Sequence, residues 1–257
     1  MPTTEPITLP WCLVLYFGEL WGLNQTQFTL LLLAGILLTV VGAYLIGSIS
    51  PSIILSRFVL HDDVRKHGSG NAGATNMLRS YGAKFALLTL FLDMLKAAVA
   101  MGLGYLIYQK DGAALAGLFA VLGHMFPIYY RFHGGKGVAC AVAVAILTLH
   151  PIAFLILFIC YMGILFMTKY VSLASIMSVM LYPMVLHAFH PEDGTTFLCA
   201  LVIAIFVVFM HRENIKRLYE RQESKIDFSK FRKKKAEPQV TDDEPSEEPS
   251  GDGADHE

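Results

Sequence analysis

A polar, glycine-rich segment is the part of this 257-residue sequence best suited to bind an anion. It starts at Arg65 and contains Gly68-Ser-Gly-Asn-Ala-Gly-Ala-Thr-Asn76. Its glycines let another group approach the backbone closely, and the Arg79 guanidinium can hold a phosphate through two parallel hydrogen bonds. We call residues 65–82 the first polar segment. Its candidate ligands are Ser69, Asn71, Thr75, Asn76 and Arg79.

A second glycine-rich segment, His133-Gly-Gly-Lys-Gly137, adds a lysine to the same kind of chemistry. We call it the glycine loop, and its candidate ligands are Gly134, Gly135, Lys136 and Gly137. It is not a Walker A loop, because Lys136 is followed by glycine rather than by Ser or Thr. It precedes an apolar helix, so free N–H groups, the helix dipole and Lys136 would face an anion together. A simple glycine turn with a cytoplasmic lysine is the alternative.

Three more polar residues could join such a site. His211 and Asn214 are three residues apart, so they share one face of a helix. The cations around them are also explained by a basic stop signal at a membrane surface. Ser172 opens another helix, where it caps the helix or binds a ligand. Together these segments suit an enzyme or a carrier that handles a phosphorylated compound.

A few ionisable residues lie inside apolar stretches. Asp93 and Lys96 have i, i+3 spacing and form either a structural ion pair or a wall of the site. His124 packs between helices or orients the glycine loop. The four cysteines are scattered and have neither disulfide nor metal spacing. We therefore expect no metal and no cofactor, and nothing indicates binding of nucleic acid.

The composition indicates that these residues belong to a membrane protein. The chain is 54% hydrophobic and 16% charged, with a mean hydropathy of +0.52, which is more apolar than a soluble domain. Apolar segments predict an all-α integral membrane protein with about seven transmembrane helices. Gly47-Ser-Ile-Ser-Pro51 should break the first helix near its end. The predicted helices cover residues 28–56, 82–108, 112–130, 137–149, 151–168, 170–189 and 195–210.

Three regions follow along the chain. Residues 1–27 form a lead with an aromatic, interfacial segment from Trp11 to Trp21. Residues 28–220 form the membrane domain. Residues 221–257 are basic and then rich in Pro, Asp, Glu and Ser, which predicts a disordered tail.

The positions of Lys and Arg predict the orientation of the helices. If sides alternate from the N-terminus, one side receives Arg57, the first polar segment, the glycine loop and the basic tail. The other side receives Lys110 alone. The N-terminus is therefore expected outside, and both glycine-rich segments are expected in the cytoplasm.

The order of the motifs resembles that of the bacterial acyl-phosphate-dependent glycerol-3-phosphate acyltransferases, the PlsY family. The resemblance covers roughly residues 35–220. The matching motifs are Gly47-Ser-Ile, Gly68-Ser-Gly-Asn-Ala-Gly-Ala-Thr-Asn76 with Arg79, Gly123-His-Met-Phe-Pro127 with Gly134-Gly-Lys-Gly-Val138, and His211-Arg-Glu-Asn-Ile-Lys-Arg217.

The resemblance implies a seven-helix protein of the bacterial inner membrane that acylates the 1-hydroxyl of sn-glycerol 3-phosphate from acyl phosphate. The product is lysophosphatidic acid, in the first step of phospholipid synthesis. The group that takes the hydroxyl proton is either His211 or the substrate's own phosphate, and the resemblance favours the phosphate. The site residues that it implies are Ser69, Asn71, Thr75, Arg79, Gly134, Gly135, Lys136, Gly137, Ser172, His211 and Asn214.

A carrier for a phosphorylated metabolite is the rival hypothesis. It explains cationic loops on a helical bundle equally well, but it predicts inverted repeats and broken helices at mid-membrane. The sequence contains no repeat of helix-pair length.

Overall fold

The computed structural model describes residues 12–226, and over that range the protein is helical without strands. The helices are α1 (Leu13–Leu20), α2 (Gln25–Gly47), α3 (Pro51–Ile54), α4 (Ala74–Tyr81), α5 (Ala83–Met125), α6 (Val138–Thr148), α7 (Pro151–Thr168), α8 (Val171–Phe189), α9 (Gly194–Met210) and α10 (Arg212–Tyr219). A π-helical turn covers Leu55–Val59, and 3-10 turns cover Val64–Lys66 and Ile128–Tyr130.

The helices bury their small side chains and expose their large apolar ones. Ala97 and Ala116 are fully buried, whereas Leu37 is 63% and Met167 88% exposed. Exposed apolar surface on this scale is foreign to a water-soluble monomer, while lipid chains cover it without cost. Small interior residues let membrane helices approach one another closely. The fold is that of an integral membrane protein, as the sequence predicted.

Within residues 12–226, four helical segments are long and apolar enough to cross a membrane, or five if α9 and α10, which meet at a bend of 55°, count as one. Helix α6 has 11 residues, about half of the length that spans a bilayer. The count of seven spans therefore stays a prediction.

Helix α5 folds back on itself. Tyr108 and Gln109 interrupt it with non-helical backbone angles. A Cβ at Gly104 would overlap the backbone of Gly112, and Gly117 packs against Met101, so the two halves run side by side in opposite directions. The predicted pair of helices, residues 82–108 and 112–130, corresponds to these halves.

The predicted break after α2 is confirmed. Helix α2 ends at Gly47, and α3 begins at Pro51. Lys96, on α5, donates a hydrogen bond of 2.5 Å to the carbonyl of Ile49 inside the break. Lys96 thus supplies a hydrogen bond to a carbonyl inside the break, a group that lipid could not satisfy.

Close helix contact fixes α2 against the second half of α5. A Cβ at Gly47 would overlap the Ala120 backbone, and one at Gly123 would overlap the Tyr44 carbonyl. The Tyr44 hydroxyl donates a 2.7 Å hydrogen bond to the carbonyl of Phe126. These contacts hold the end of α5, from which the glycine loop follows.

Both ends of the predicted membrane domain shift slightly. Asn24 caps α2 together with Gln27, so that helix begins inside the predicted lead. At the other end, the N–H of Ile226 donates a 2.8 Å hydrogen bond to the carbonyl of Lys169. Residues 221–226, which the sequence analysis assigned to the tail, thus pack on the domain. Residues 1–11 and 227–257 lie outside the described residues.

Replacing Gly47 by alanine should destabilise the protein, because the added methyl group would meet backbone atoms of Ala120 that cannot rotate away. We expect a loss of about 1–3 kcal/mol, as for overpacked sites in general. Thermal unfolding in detergent micelles measures the effect. Gly42→Ala, on the same helix but with no atom within 4 Å of the new Cβ, is the control. Equal melting temperatures of the two variants would contradict the contact.

Candidate active site

The first polar segment and the glycine loop meet at one end of the bundle. A Cβ at Gly135 would lie 2.9 Å from the carbonyl oxygen of Ala72, so the two backbones are in contact there. The positions of Lys and Arg predict both segments on one side of the membrane. Their contact brings the two sets of candidate ligands together.

Asn76 holds the first polar segment in shape from within. It is buried, and its amide nitrogen donates to the carbonyls of Val64 (2.9 Å) and His67 (3.0 Å). Its Oδ1 accepts a 2.9 Å hydrogen bond from the N–H of Ser69. The side chain therefore serves the backbone, and it sets the position of Ser69.

The three glycines of the glycine loop are required by the protein's own packing. Cβ atoms at Gly134 and Gly135 would overlap the backbone and ring of His124, and one at Gly137 would overlap Met125. Gly137 also has a φ of 79°, which disfavours other residues. The N–H of Gly135 donates a 3.0 Å hydrogen bond to the His124 carbonyl, so that group is not offered to a ligand.

A buried ionic cluster, formed by Asp93, Lys96 and His124, packs against the glycine loop. The Asp93 carboxylate lies 2.8 Å from Lys96 Nζ and 3.1 Å from His124 Nδ1. All three side chains are buried. In the sequence these residues allowed two interpretations each; here Asp93 and Lys96 form a structural ion pair, and His124 contacts the loop at Gly135.

Cys140 completes a group of metal-ligand type with Asp93 and His124, whose ligand atoms lie within 4.8 Å of one another. The Lys96 ammonium is the cation that these groups contact, because its Nζ is 2.8 Å from Asp93 Oδ1 and 3.0 Å from His124 Nδ1. The Cys140 thiol donates to the backbone carbonyl of Asp93 at 3.3 Å. The geometry is that of an ammonium site.

Lys136 extends from the glycine loop to the other end of the candidate site. Its ammonium donates a hydrogen bond to Oδ1 of Asn214 on α10. Burial lowers the pKa of Lys136 to about 8, with Arg217 and Arg79 adding to the shift and Glu223 opposing it. Residues from the first polar segment, the glycine loop and the C-terminal part of the chain therefore act on one ammonium group.

Glu223 lies at the centre of the C-terminal contacts. Its carboxylate is 8% exposed and accepts hydrogen bonds from Ser172 (2.8 Å), Asn214 (2.6 Å) and Arg217 (2.8 Å). Burial alone would raise the pKa of Glu223, but these three donors lower it below its usual value. Sequence reasoning missed this residue, since it stands in a polar stretch that looks like the start of a tail.

His211 follows the last residue of α9 and is buried. Its Nδ1 is 2.7 Å from the carbonyl of Val207, which assigns the proton to Nδ1 and leaves Nε2 as the acceptor. Burial lowers the pKa of His211 to about 4, and the charge of Lys136 adds to the shift. The imidazole is thus neutral at physiological pH.

The remaining candidate ligands lie on the first polar segment. Arg79 stands at the exposed end of α4, close enough to Lys136 to affect its pKa. Ser69 and Thr75 are exposed, and Asn71 is half-buried. Their contacts with a substrate remain predictions.

A cleft of about 280 Å³ opens beside these residues, between the two polar segments and the end of α9. It combines two guanidinium groups with an apolar and aromatic lining. The lining residues are Arg65, Gly70, Met125, Phe126, Phe132, His133, Gly134, Phe209, Met210 and Arg212.

Comparison with known proteins agrees with this arrangement. Residues 37–221 match the family model described as glycerol-3-phosphate acyltransferase. The chain belongs to the glycerol-3-phosphate acyltransferase family. The matched range contains every candidate ligand named above, and it ends two residues before Glu223.

Individual relatives show the same similarity. A glycerol-3-phosphate acyltransferase of Thermoanaerobacter pseudethanolicus is 40% identical over 189 residues, which is 74% of this chain and 94% of the relative. One from Bacillus subtilis is 39% identical over 191 residues, 74% of this chain and 97% of the relative.

A solved structure has the same fold. The crystal structure of PlsY, an integral membrane glycerol 3-phosphate acyltransferase, in its glycerol 3-phosphate form matches with a TM-score of 0.68 and 34% identity. The match covers 77% of this chain and 99% of PlsY. The lysophosphatidic acid form of PlsY matches with a TM-score of 0.66.

Replacing Gly135 by alanine should weaken binding of a phosphate, because the new methyl group would push the loop away from His124 and displace Lys136. Loss of one charge-assisted hydrogen bond of about 1.5–3 kcal/mol predicts an affinity for glycerol 3-phosphate at least tenfold lower. Calorimetric titration of the detergent-solubilised protein measures it. Gly163→Ala, with no atom within 4 Å of the new Cβ, should bind normally. Unchanged affinity in Gly135→Ala would refute the role of the loop.

Proposed function

We propose that this protein transfers a fatty acyl group from acyl phosphate to the 1-hydroxyl of sn-glycerol 3-phosphate, releasing lysophosphatidic acid and phosphate. The observation that supports it most is the convergence of Lys136, Arg79, Ser172 and Asn214 from separate segments on one cationic site. Membership of the family supplies the acceptor, and a cationic site for two phosphates supports acyl phosphate as the donor.

The reaction needs positioning more than covalent help from the protein. The hydroxyl oxygen attacks the acyl carbonyl carbon, an ester bond forms, and the bond from that carbon to the phosphate oxygen breaks. Phosphate leaves with the electron pair and is a good leaving group, so no acyl-enzyme is required. Cations and hydrogen-bond donors around the leaving phosphate stabilise the charge that grows on it.

Two groups of residues each bind one of the two substrates. Ser69, Lys136 and the first N–H groups of α6 face the acyl phosphate, while Arg79, Ser172, His211 and Asn214 face the glycerol phosphate. Because Lys136 donates to Asn214, its ammonium stands at the boundary between the two groups and attracts the glycerol phosphate as well as the acyl phosphate. Ser172 donates its proton to Glu223, so its oxygen is left to accept a hydrogen bond from a glycerol hydroxyl.

The cleft beside the site suits an amphiphilic donor. Arg212 offers positive charge to a phosphate at its wall, whereas the guanidinium of Arg65 is paired with Asp63 at 2.7 Å. Phe126, Phe132 and Phe209 offer apolar surface to the start of an acyl chain. Phe132 is 57% exposed, so the chain continues from there into the bilayer.

The substrate phosphate takes the hydroxyl proton in this mechanism. His211 is neutral with a pKa of about 4, which makes it a weak base, whereas a phosphate monoester has a second pKa of about 6. Neutral Nε2 of His211 instead accepts a hydrogen bond that orients the glycerol moiety.

The protein acts in the bacterial inner membrane, with the N-terminus outside and the site in the cytoplasm. The positions of Lys and Arg support this orientation. Glycerol 3-phosphate then enters from water, and the acyl donor enters from the bilayer.

The donor is tested by incubating purified protein with glycerol 3-phosphate and either acyl phosphate, acyl-CoA or an acyl carrier protein thioester. We expect lysophosphatidic acid from acyl phosphate, with equal rates with and without chelator, because Arg79 and Lys136 can neutralise phosphate themselves. Preference for a thioester, or loss of activity in chelator, would contradict the proposal.

The identity of the base is tested by the acid limb of the pH–rate profile of His211→Ala. If the substrate phosphate is the base, its dianion is lost as pH falls through about 6, and the limb stays there in the variant. If His211 is the base, the wild-type limb lies near its pKa of about 4 and disappears in the variant. His187→Ala, at the far end of α8, is the control. We expect the first outcome, with the main loss in binding of glycerol 3-phosphate.

A further inference from the structure

The Asn214 amide connects two charges that do not touch each other. Its Nδ2 donates a 2.6 Å hydrogen bond to Oε1 of Glu223, and its Oδ1 accepts from the ammonium of Lys136. An amide has one donor side and one acceptor side. With the donor side bound to a carboxylate, the acceptor side faces the site, and the Lys136 ammonium is the donor that it meets.

We propose that Glu223 is a positioning residue of the acyl-transfer site, which acts through Asn214 to orient Lys136 and to keep it cationic. The inference rests on the proposed function, because it concerns how the same site binds phosphate. Without the carboxylate, the Asn214 amide can rotate and present its N–H groups to the ammonium, and the two would repel each other.

The charges around Lys136 show why it needs this support. Burial disfavours its charged form most, and Arg217 from α10 and Arg79 from α4 add to this effect. The neutral ring of His211 adds no negative charge. Glu223 is the anion that favours the ammonium among the described groups acting on Lys136, and it opposes the effect of the two arginines.

The position of Glu223 is itself fixed by the fold. Ser172 at the start of α8 and Arg217 on α10 each donate to the carboxylate at 2.8 Å. Three residues later, the N–H of Ile226 donates to the carbonyl of Lys169. The segment after α10 is thus held at both the carboxylate and the backbone, as a positioning role requires.

The test measures affinity for glycerol 3-phosphate between pH 6.5 and 10 by calorimetric titration of the full-length protein in detergent. The ligand is a dianion over most of this range, so a fall in affinity at high pH reports the protein. In the wild type, affinity should fall as Lys136 loses its proton near pH 8. Glu223→Gln should move this midpoint down by about one unit, because an anion is lost.

Arg217→Gln should move the midpoint in the opposite direction, because a cation is lost while Ser172 and Asn214 still hold Glu223. Glu220→Gln, the same change at an exposed residue three positions earlier, should leave the midpoint unchanged. A structural role alone would lower the amount of folded protein without shifts of opposite sign.

Two results would overturn the inference. Identical midpoints in the wild type, Glu223→Gln and Arg217→Gln would limit Glu223 to folding. Tighter binding by Glu223→Gln at every pH would show that the carboxylate competes with the substrate phosphate. If Glu223→Gln does not fold, Glu223→Asp and Arg217→Gln decide: the aspartate should keep the midpoint and bind more weakly, because its carboxylate is one methylene short.

The same variants separate this inference from the proposed function. Midpoint shifts as expected, without formation of lysophosphatidic acid from acyl phosphate, would refute the reaction and leave the positioning role standing. Normal product formation with no shift would refute the positioning role alone.

Discussion

The site depends on the ionic pairing of the buried Asp93 carboxylate with its neighbours. A charge inside a membrane protein must be paired with its neighbours, because lipid cannot solvate it. Asp93 pairs with Lys96 and with His124, and each partner holds a different part of the chain. Lys96 reaches the carbonyl of Ile49 in the break after α2, and His124 lies under Gly135. One ionic cluster therefore fixes the helix break and the glycine loop relative to each other.

Glycine has a structural role around this cluster that differs from its expected one. In the sequence, the glycines of residues 133–137 suggest a backbone that approaches a ligand. In the structure, their Cβ directions face His124 and Met125, so they let the loop approach its own protein. A loop pressed against a rigid turn presents Lys136 in one place, and such preorganisation is what an electrostatic site needs.

Much of the fold follows from the sequence because the bilayer imposes simple rules. Apolar runs locate most of the helices within a few residues, and Gly47 and Pro51 locate the break that ends the first one early. The residue types of the two polar segments also predict a phosphate site. The role of Glu223 could not be predicted from the sequence, since it comes from three hydrogen-bond donors elsewhere in the chain. The use of Asn76 as a brace for the backbone likewise depends on folding, as any Asn in a polar segment could bind a ligand.

The location of Glu223 after the last apolar helix has a consequence for biosynthesis. The chain is synthesised from its N-terminus. The apolar helices α2 to α9 are therefore made before Glu223, whose carboxylate joins Ser172, Asn214 and Arg217. A nascent chain that stops at residue 221 holds all the candidate ligands but lacks the carboxylate that joins Ser172 to Asn214 and Arg217. This part of the site is therefore completed only after the helices α2 to α10 have been made.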